Sequence, residues 1–168
     1  MKKYLLILAA MLFILEGSCQ KKELKMFTEN ALSQKLTATD HAELPFGQII
    51  QKAAGKVTLI EVWASWCSDC VKAMPWVKDL KKGHPDMQFV YVSMDKSFDK
   101  WQAGIEKHQL QGIHYWAPDG MQGAWGKTID LDWIPRYILL DQNGTILKYY
   151  ATEKDTKELE ALIKQAKP

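Results

Sequence analysis

The order of apolar patterns in this chain predicts an α/β fold, a mixed central sheet with helices on both faces. Three observations lead there. The run Lys56-Val57-Thr58-Leu59-Ile60-Glu61-Val62-Trp63-Ala64 is almost continuously apolar and rich in β-branched and aromatic residues, as a central strand covered on both sides should be. Strand-like and helix-like segments alternate from there to about residue 128. Two further strand segments then flank Asn143-Gly144, a strong hairpin signal, and an amphipathic helix closes the chain. Right-handed crossovers between the parallel strands fix the topology.

The first segment reads as an address. Lys2 and Lys3 precede an apolar stretch from Tyr4 to Leu15, then Glu16-Gly17-Ser18-Cys19. This is a secretory-signal layout whose apolar region is too short to span a bilayer alone. A buried N-terminal helix fits poorly with the paired lysines and the abrupt polar switch at Gln20. Residues 1–18 are therefore expected to be a signal peptide, residues 19–45 a polar tether leading into an irregular cover, and residues 46–168 the folded domain. The 168-residue chain has enough apolar content for one core. Its formal net charge of +2 offers no single-sign field to nucleic acid, which is excluded as a partner.

Within the domain, Phe46, Ile49, Ile50 and Ala53 recur at helical spacing, and Gly55 can end that helix. After the central strand, Val71, Met74, Val77 and Leu80 share one helical face until Gly83-His84-Pro85 stops it. Met87 to Asp95 reads as a second buried strand. Asp99 to Gln109 reads as an amphipathic helix ended by Gly112, Ile113 to Ala117 as a short strand, and Gly123 to Thr128 as a helical turn. Arg136 to Asp141 and Thr145 to Tyr150 form the hairpin. Asp155 is placed to cap the last helix, with Leu159, Leu162 and Ile163 facing inward.

The chemistry lies in Trp66-Cys67-Ser68-Asp69-Cys70, two thiols one helical turn apart directly after the central strand. A helix N-terminus offers its first sulfur unpaired N–H groups and the positive end of the dipole, which favour the thiolate that attacks disulfides. Zinc is a weak alternative: His108 and His114 lie much further from the cysteines than zinc-finger spacing allows, with Gly112 between them. A purely structural bridge would close a two-residue loop and constrain the unfolded chain little. No cofactor is called for. Glu61 has two readings in the strand, an edge carboxylate reaching water or a buried acid near the thiols.

Glu61-Val62-Trp63-Ala64-Ser65-Trp66-Cys67-Ser68-Asp69-Cys70 resembles the acid-x-Trp-Ala-x-Trp-Cys-x-x-Cys signature of thioredoxin-fold oxidoreductases. Pro75, eight residues after Cys67, and Ile134-Pro135 before Tyr137-Ile138-Leu139-Leu140-Asp141-Gln142-Asn143-Gly144 extend the likeness, which is greatest to the envelope-tethered TlpA/ResA-like branch. The resemblance implies a thioredoxin-like three-layer sandwich with an extra segment around residues 102–132. It implies that Glu61 is the buried acid, exchanging a proton with Cys70, and that Pro135 is cis. Backbone groups at Ile134 would then turn toward Cys67, where an extended substrate segment pairs with them. Trp66 would line the contact surface. Arg136 is either a specificity or charge-tuning residue or simply exposed. Trp63, Trp76 and Trp133 are assigned to core and rim packing, and Trp101, Trp116 and Trp125 to packing.

The implied activity is thiol-disulfide exchange in which Cys67 attacks and Cys70 resolves. Ser68 and Asp69 would tune the redox balance. The Asp69 charge, fixed in the motif, is set against an Arg136 free to swing to solvent. The acid prevailing gives a reductase of disulfide-containing envelope proteins, recharged by a membrane electron donor. A peroxidase of the peroxiredoxin type needs Thr or Ser where Ala64 stands, and a non-catalytic module has no use for an intact Cys-x-x-Cys. Small residues before Cys19 resemble a lipoprotein box, although Glu16 departs from it. Lipid on Cys19 would hold the exported protein to a membrane, with cleavage to a soluble form and an uncleaved anchor as alternatives.

Overall fold

A computed structural model describes residues 23–166, so the expected signal peptide and Cys19 lie outside the described residues. In chain order the elements are α1 (Glu29–Ser33), β1 (Lys35–Ala38), β2 (Glu43–Pro45), α2 (Phe46–Ala53), β3 (Thr58–Trp63), α3 (Ser68–Gly83), β4 (Gln88–Ser93), α4 (Phe98–His108), β5 (Ile113–Trp116), α5 (Ala124–Thr128), β6 (Arg136–Leu140), β7 (Ile146–Ala151) and α6 (Thr156–Ala166). The strands form one mixed sheet in the order β2-β1-β5-β4-β3-β6-β7. β3, β4 and β5 run parallel, and β6, β7, β1 and β2 pair antiparallel with their neighbours.

Every residue of β3 is buried, as its unbroken apolar run requires of a strand covered on both faces. One cover is α3, α4 and α6. Trp76 of α3 packs edge-on to Tyr137 of β6 at 5.4 Å and donates to Glu160 of α6 at 2.8 Å. Trp101 of α4 stacks on Trp116 of β5 at 6.4 Å. Strand register puts Tyr137, Glu61, Tyr91 and His114 in one row across β6, β3, β4 and β5, on this same face. The opposite face is closed by the remaining helices, with α2 and α5 meeting through Phe46 and Trp125 at 5.1 Å.

The N-terminal segment departs from expectation. Instead of an irregular cover, residues 29–45 form α1 and the β1–β2 hairpin, which extends the sheet beyond β5. The hairpin lacks an Asn-Gly signal. Asp40 makes the turn by accepting from the Ala42 N–H at 3.0 Å, with His41 in the left-handed region at φ 67°. Further upstream, Ile146 N–H donates to the Lys25 carbonyl and Tyr149 N–H to Glu23, so residues 23–25 line β7. Phe27, Ala31 and Leu36 join the core. The packed unit therefore extends N-terminal to Phe46.

Two helix ends also differ. α4 stops at Gln109, which takes the left-handed conformation at φ 49°, three residues before Gly112. Asp155 holds the N-cap position of α6, its carbonyl accepting from the Leu159 N–H at 2.9 Å, but its carboxylate turns back from the helix to accept from the Thr152 N–H and hydroxyl at 2.8 and 3.0 Å. In the β6–β7 connection, Asp141 accepts from the N–H groups of Asn143 and Thr145, both at 2.8 Å, and Gly144 supplies the φ of 81° that the turn needs.

Candidate active site

The site forms where β3 runs out and α3 begins. Cys67 is the N-cap of α3, in extended conformation, and its sulfur accepts from the Cys70 N–H at 3.1 Å. That bond satisfies one of the four N–H groups a helix start leaves open. The two cysteines form a disulfide with Cα atoms 5.3 Å apart. Their environments differ: Cys67 keeps 6% of its surface open and Cys70 none. A nucleophile reaching from outside can therefore meet only the Cys67 sulfur.

Pro135 lies next to the pair. The Ile134–Pro135 peptide is cis, and the Ile134 carbonyl oxygen stands 3.6 Å from Cys67 Sγ. Two indoles frame this meeting point. Trp66 precedes Cys67 and is 56% exposed; Trp133 precedes Ile134 and is 52% exposed. Trp133, expected in core or rim packing, thus stands at the surface next to Ile134. Its place next to Ile134-Pro135 was the available signal.

Glu61 is the buried acid of the two readings. It is 2% exposed on the sheet face that α3 covers, and neither carboxyl oxygen has a hydrogen-bond partner. Loss of solvation pushes its pKa from 4.5 up to about 8. It is therefore mostly protonated near neutral pH.

The charges near the thiols are arranged differently from the sequence expectation. Arg136 is buried, pairs with Asp132 and lies 4.8 Å over the Tyr150 ring, so its guanidinium neither swings to solvent nor reaches the contact surface. Its position as first residue of β6, opposite Val62, turns it into the fold. Asp69, in the first turn of α3, pairs with Lys72 at 3.1 Å, and Ser68 opens that turn exposed. Both charges thus have partners of opposite sign.

Asp95 is a site residue that the sequence reading missed. Fully buried just past β4, its carboxylate accepts from the Ser65 N–H and hydroxyl at 3.0 and 2.7 Å and from the Ser93 hydroxyl at 2.8 Å. It fixes the backbone two residues before Cys67. Its position at the carboxyl end of a parallel strand, where α/β folds gather functional groups, could have marked it. Among the described residues no group of three or more His, Cys, Asp or Glu could hold a metal ion.

Comparison with known proteins bears on this geometry. The model of a thioredoxin-like family matches residues 55–146, more than half of the chain and all of the constellation above. The chain belongs to that thioredoxin-like family. Among its relatives, the thiol-disulfide oxidoreductase ResA of Bacillus thuringiensis is 22% identical over 115 residues, 68% of this chain and 65% of that protein. The protein SUPPRESSOR OF QUENCHING 1 of Arabidopsis thaliana is 24% identical over 151 residues, which are 80% of this chain and 14% of that protein. The chain thus spans less than two thirds of the length of these relatives. The solution structure of a proposed thiol-disulfide oxidoreductase of Bacteroides vulgatus matches with TM-score 0.65 and 28% identity, covering 82% of this chain and 89% of that one. Cys67, with 6% of its surface open, Cys70, with none, and the cis Ile134–Pro135 bond all lie within the matched residues.

Proposed function

We propose that this protein is a thiol-disulfide oxidoreductase that reduces disulfides of exported partner proteins. The observation that carries the reading is the disulfide between Cys67 and Cys70, open to attack at Cys67 only and set 3.6 Å from the Ile134 carbonyl. In the reduced protein, the Cys67 thiolate attacks one sulfur of a partner disulfide, and the other partner sulfur leaves as a thiolate that takes a proton from water. The partner segment is held as an added strand against Ile134, between Trp66 and Trp133. Cys70 passes its proton to the Glu61 carboxylate, attacks Cys67 Sγ and releases the second partner thiol. Two electrons have moved to the partner, and the Cys67–Cys70 disulfide remains.

Recharging runs the steps in reverse. A donor thiolate opens the disulfide at Cys67, and protonated Glu61, the prevailing form near neutral pH, gives its proton to the departing Cys70 sulfur. The donor is a dithiol held at the membrane. Lipid on Cys19 would keep the protein beside it, as the leader and the small residues before Cys19 suggest.

Insulin reduction driven by dithiothreitol tests the activity. Wild type is expected to accelerate precipitation of the insulin B chain at least tenfold over dithiothreitol alone, and Cys67→Ser to abolish the acceleration. Cys70→Ser is expected to accumulate a covalent adduct with insulin that runs as one band without reductant. No acceleration by the wild type would leave a binding module, not an enzyme.

A further inference from the structure

Helix α3 carries a stripe of residues that the redox chemistry does not use. Val71, Met74, Pro75, Lys78, Asp79 and Lys82 recur at intervals of three and four and, with His108 at the end of α4, line a hollow of about 350 Å³. A second hollow of about 490 Å³ shares Lys78 and Lys82 with the first. It continues past Lys81 to Pro85, floored by Tyr91 and closed by Gln109 and Gln111 of the α4–β5 connection. The two form one groove that starts a single residue beyond Cys70. From Val71 to Lys82 it follows α3 for about 16 Å, the span of about five residues of extended chain.

Its floor is apolar and its rim cationic. Met74 and Tyr91 are buried beneath it, and Val71 is half-buried at its near end. Lys81 Nζ is held 4.9 Å over the Phe89 ring, which fixes that ammonium group in place. Among the described residues Asp79 is the single carboxylate lining either hollow, and it pairs with Lys82 at 3.4 Å. Three ammonium groups thus stand against one carboxylate. The excess reaches the neighbouring imidazole: burial first, then the Lys107 and Lys78 charges, hold His108 below its ordinary pKa. Position in the last turn of α3 accounts for Lys81 and Lys82 through the helix dipole, but not for Lys78 or for a hollow walled by all three.

We propose that this groove seats an acidic, extended segment of the partner protein whose disulfide Cys67 attacks, its Asp or Glu side chains on the lysine rim and its alternate apolar side chains on the floor. The seat rests on the oxidoreductase reading and adds the partner's chemistry to it. Successive side chains of an extended chain point to opposite sides, which matches a cationic rim above an apolar floor. A hollow between two helices admits a chain segment, whereas a flat anionic bilayer would reach the rim alone. Charges so placed act chiefly on the rate of encounter and are screened beyond about 10 Å at 0.1 M salt.

Peptides that share one disulfide loop and carry a five-residue tail of Leu alternating with Glu or with Lys, on either side of the loop, test the seat on the full chain. Dithiothreitol-driven reduction at low salt, corrected for dithiothreitol alone, should give the better-placed Glu tail a kcat/KM about tenfold above that of the Lys tail, and the two should converge within about twofold at 0.5 M salt. Lys78→Gln, Lys81→Gln and Lys82→Gln combined should remove the preference. Lys154→Gln, Lys157→Gln and Lys164→Gln combined, the same charge change at and before α6, should keep it. Gln111→Glu, which sets an anion in the groove wall, should cut the preference at least threefold and decides the matter if the α3 variant does not fold. Equal kcat/KM for the two tails in the wild type overturns the seat, as does a preference that both triple variants lose alike or that Gln111→Glu leaves unchanged. Phosphatidylserine vesicles that then bind the wild type but not the α3 variant would assign the lysines to a membrane surface. If neither peptide nor insulin is reduced, the oxidoreductase reading falls by itself. The groove is then read by fluorescence anisotropy of the labelled peptides on the oxidised chain, where a Glu tail bound no more tightly than the Lys tail overturns it.

Discussion

Glu61 destabilises the fold that holds it. With its pKa near 8 in the folded state against 4.5 ordinarily, the folded protein keeps a proton that the unfolded chain gives up between those values. This group's contribution to stability is thus fully present below pH 4.5, falls by about 1.4 kcal/mol per pH unit as pH rises and levels off above pH 8, a loss on the order of a few kcal/mol. Urea unfolding of the oxidised protein from pH 6.5 to 8 should show this slope in the wild type and lose it in Glu61→Gln; below pH 6.5 the buried His114, pushed down to about 4, adds a slope of opposite sign. Equal slopes in the two proteins would mean that another group titrates. The sequence made the acid conspicuous, because a carboxylate inside a nearly unbroken apolar strand has no ordinary reason to be there. It could not show the place of Arg136. Burial of a guanidinium depends on Asp132 and Tyr150 arriving beside it, and no local pattern encodes that pairing. With Arg136 paired inside and Asp69 paired with Lys72, the simple contest between one free cation and one fixed anion disappears. Exposed pairs such as Asp69–Lys72 are worth only about 0–1 kcal/mol, so neither charge alone decides the direction of electron flow.

Between β3 and α3, the turn that presents Cys67 is held from outside its own segment. Asp95 clamps Ser65 by two hydrogen bonds and is itself tied to Ser93, so the end of β4 sets where α3 starts. Asp95→Asn substitutes a donor for one acceptor oxygen among groups that all donate. The expected cost is about 2 kcal/mol, from lost charge-assisted bonds and a buried donor facing donors. Urea unfolding at pH 7 should register it, together with slower insulin reduction, since Ser65 positions the backbone leading to the nucleophile. Unchanged stability would show that Ser65 and Ser93 find other partners. Elements with strong periodicity, β3, α3, β4 and the β6–β7 hairpin, were legible almost to the residue. The β1–β2 hairpin was not, because short half-exposed strands with scattered apolar residues carry little period-2 signal and depend on β5 for pairing. The end of α4 was placed within a residue, but its stop was credited to Gly112; Gln109 makes the cap, and the missing side chain of Gly112 makes room for the Tyr91 ring.

At the scale of the whole molecule, the sheet order follows from right-handed crossovers once β5 is admitted beside β4. What the sequence did not disclose is how far the folded unit reaches toward its N-terminus. Glu23 bonds to Tyr149 and, with Glu158, to Lys148, pinning the start of the described residues to β7 and α6. Only four residue steps separate Glu23 from Cys19, a span of about 14 Å at most. A lipid on Cys19 would therefore hold the domain close against the bilayer, with no long leash to search for partners. No helix among the described residues is long and apolar enough to cross a membrane. One acyl chain binds marginally and stable attachment takes more than one, which a multiply acylated cysteine provides. Expressed with its leader in a bacterial envelope, the wild type is expected in the detergent phase on phase separation, and Cys19→Ala at least tenfold depleted from it. The variant should retain full insulin reduction after purification, because every described contact of Cys67 and Cys70 is made by residues beyond Glu23. Detergent-phase partitioning that persists in Cys19→Ala would place the anchor in the uncleaved apolar leader instead, and the close tether would then lengthen by the residues from Leu15 to Cys19.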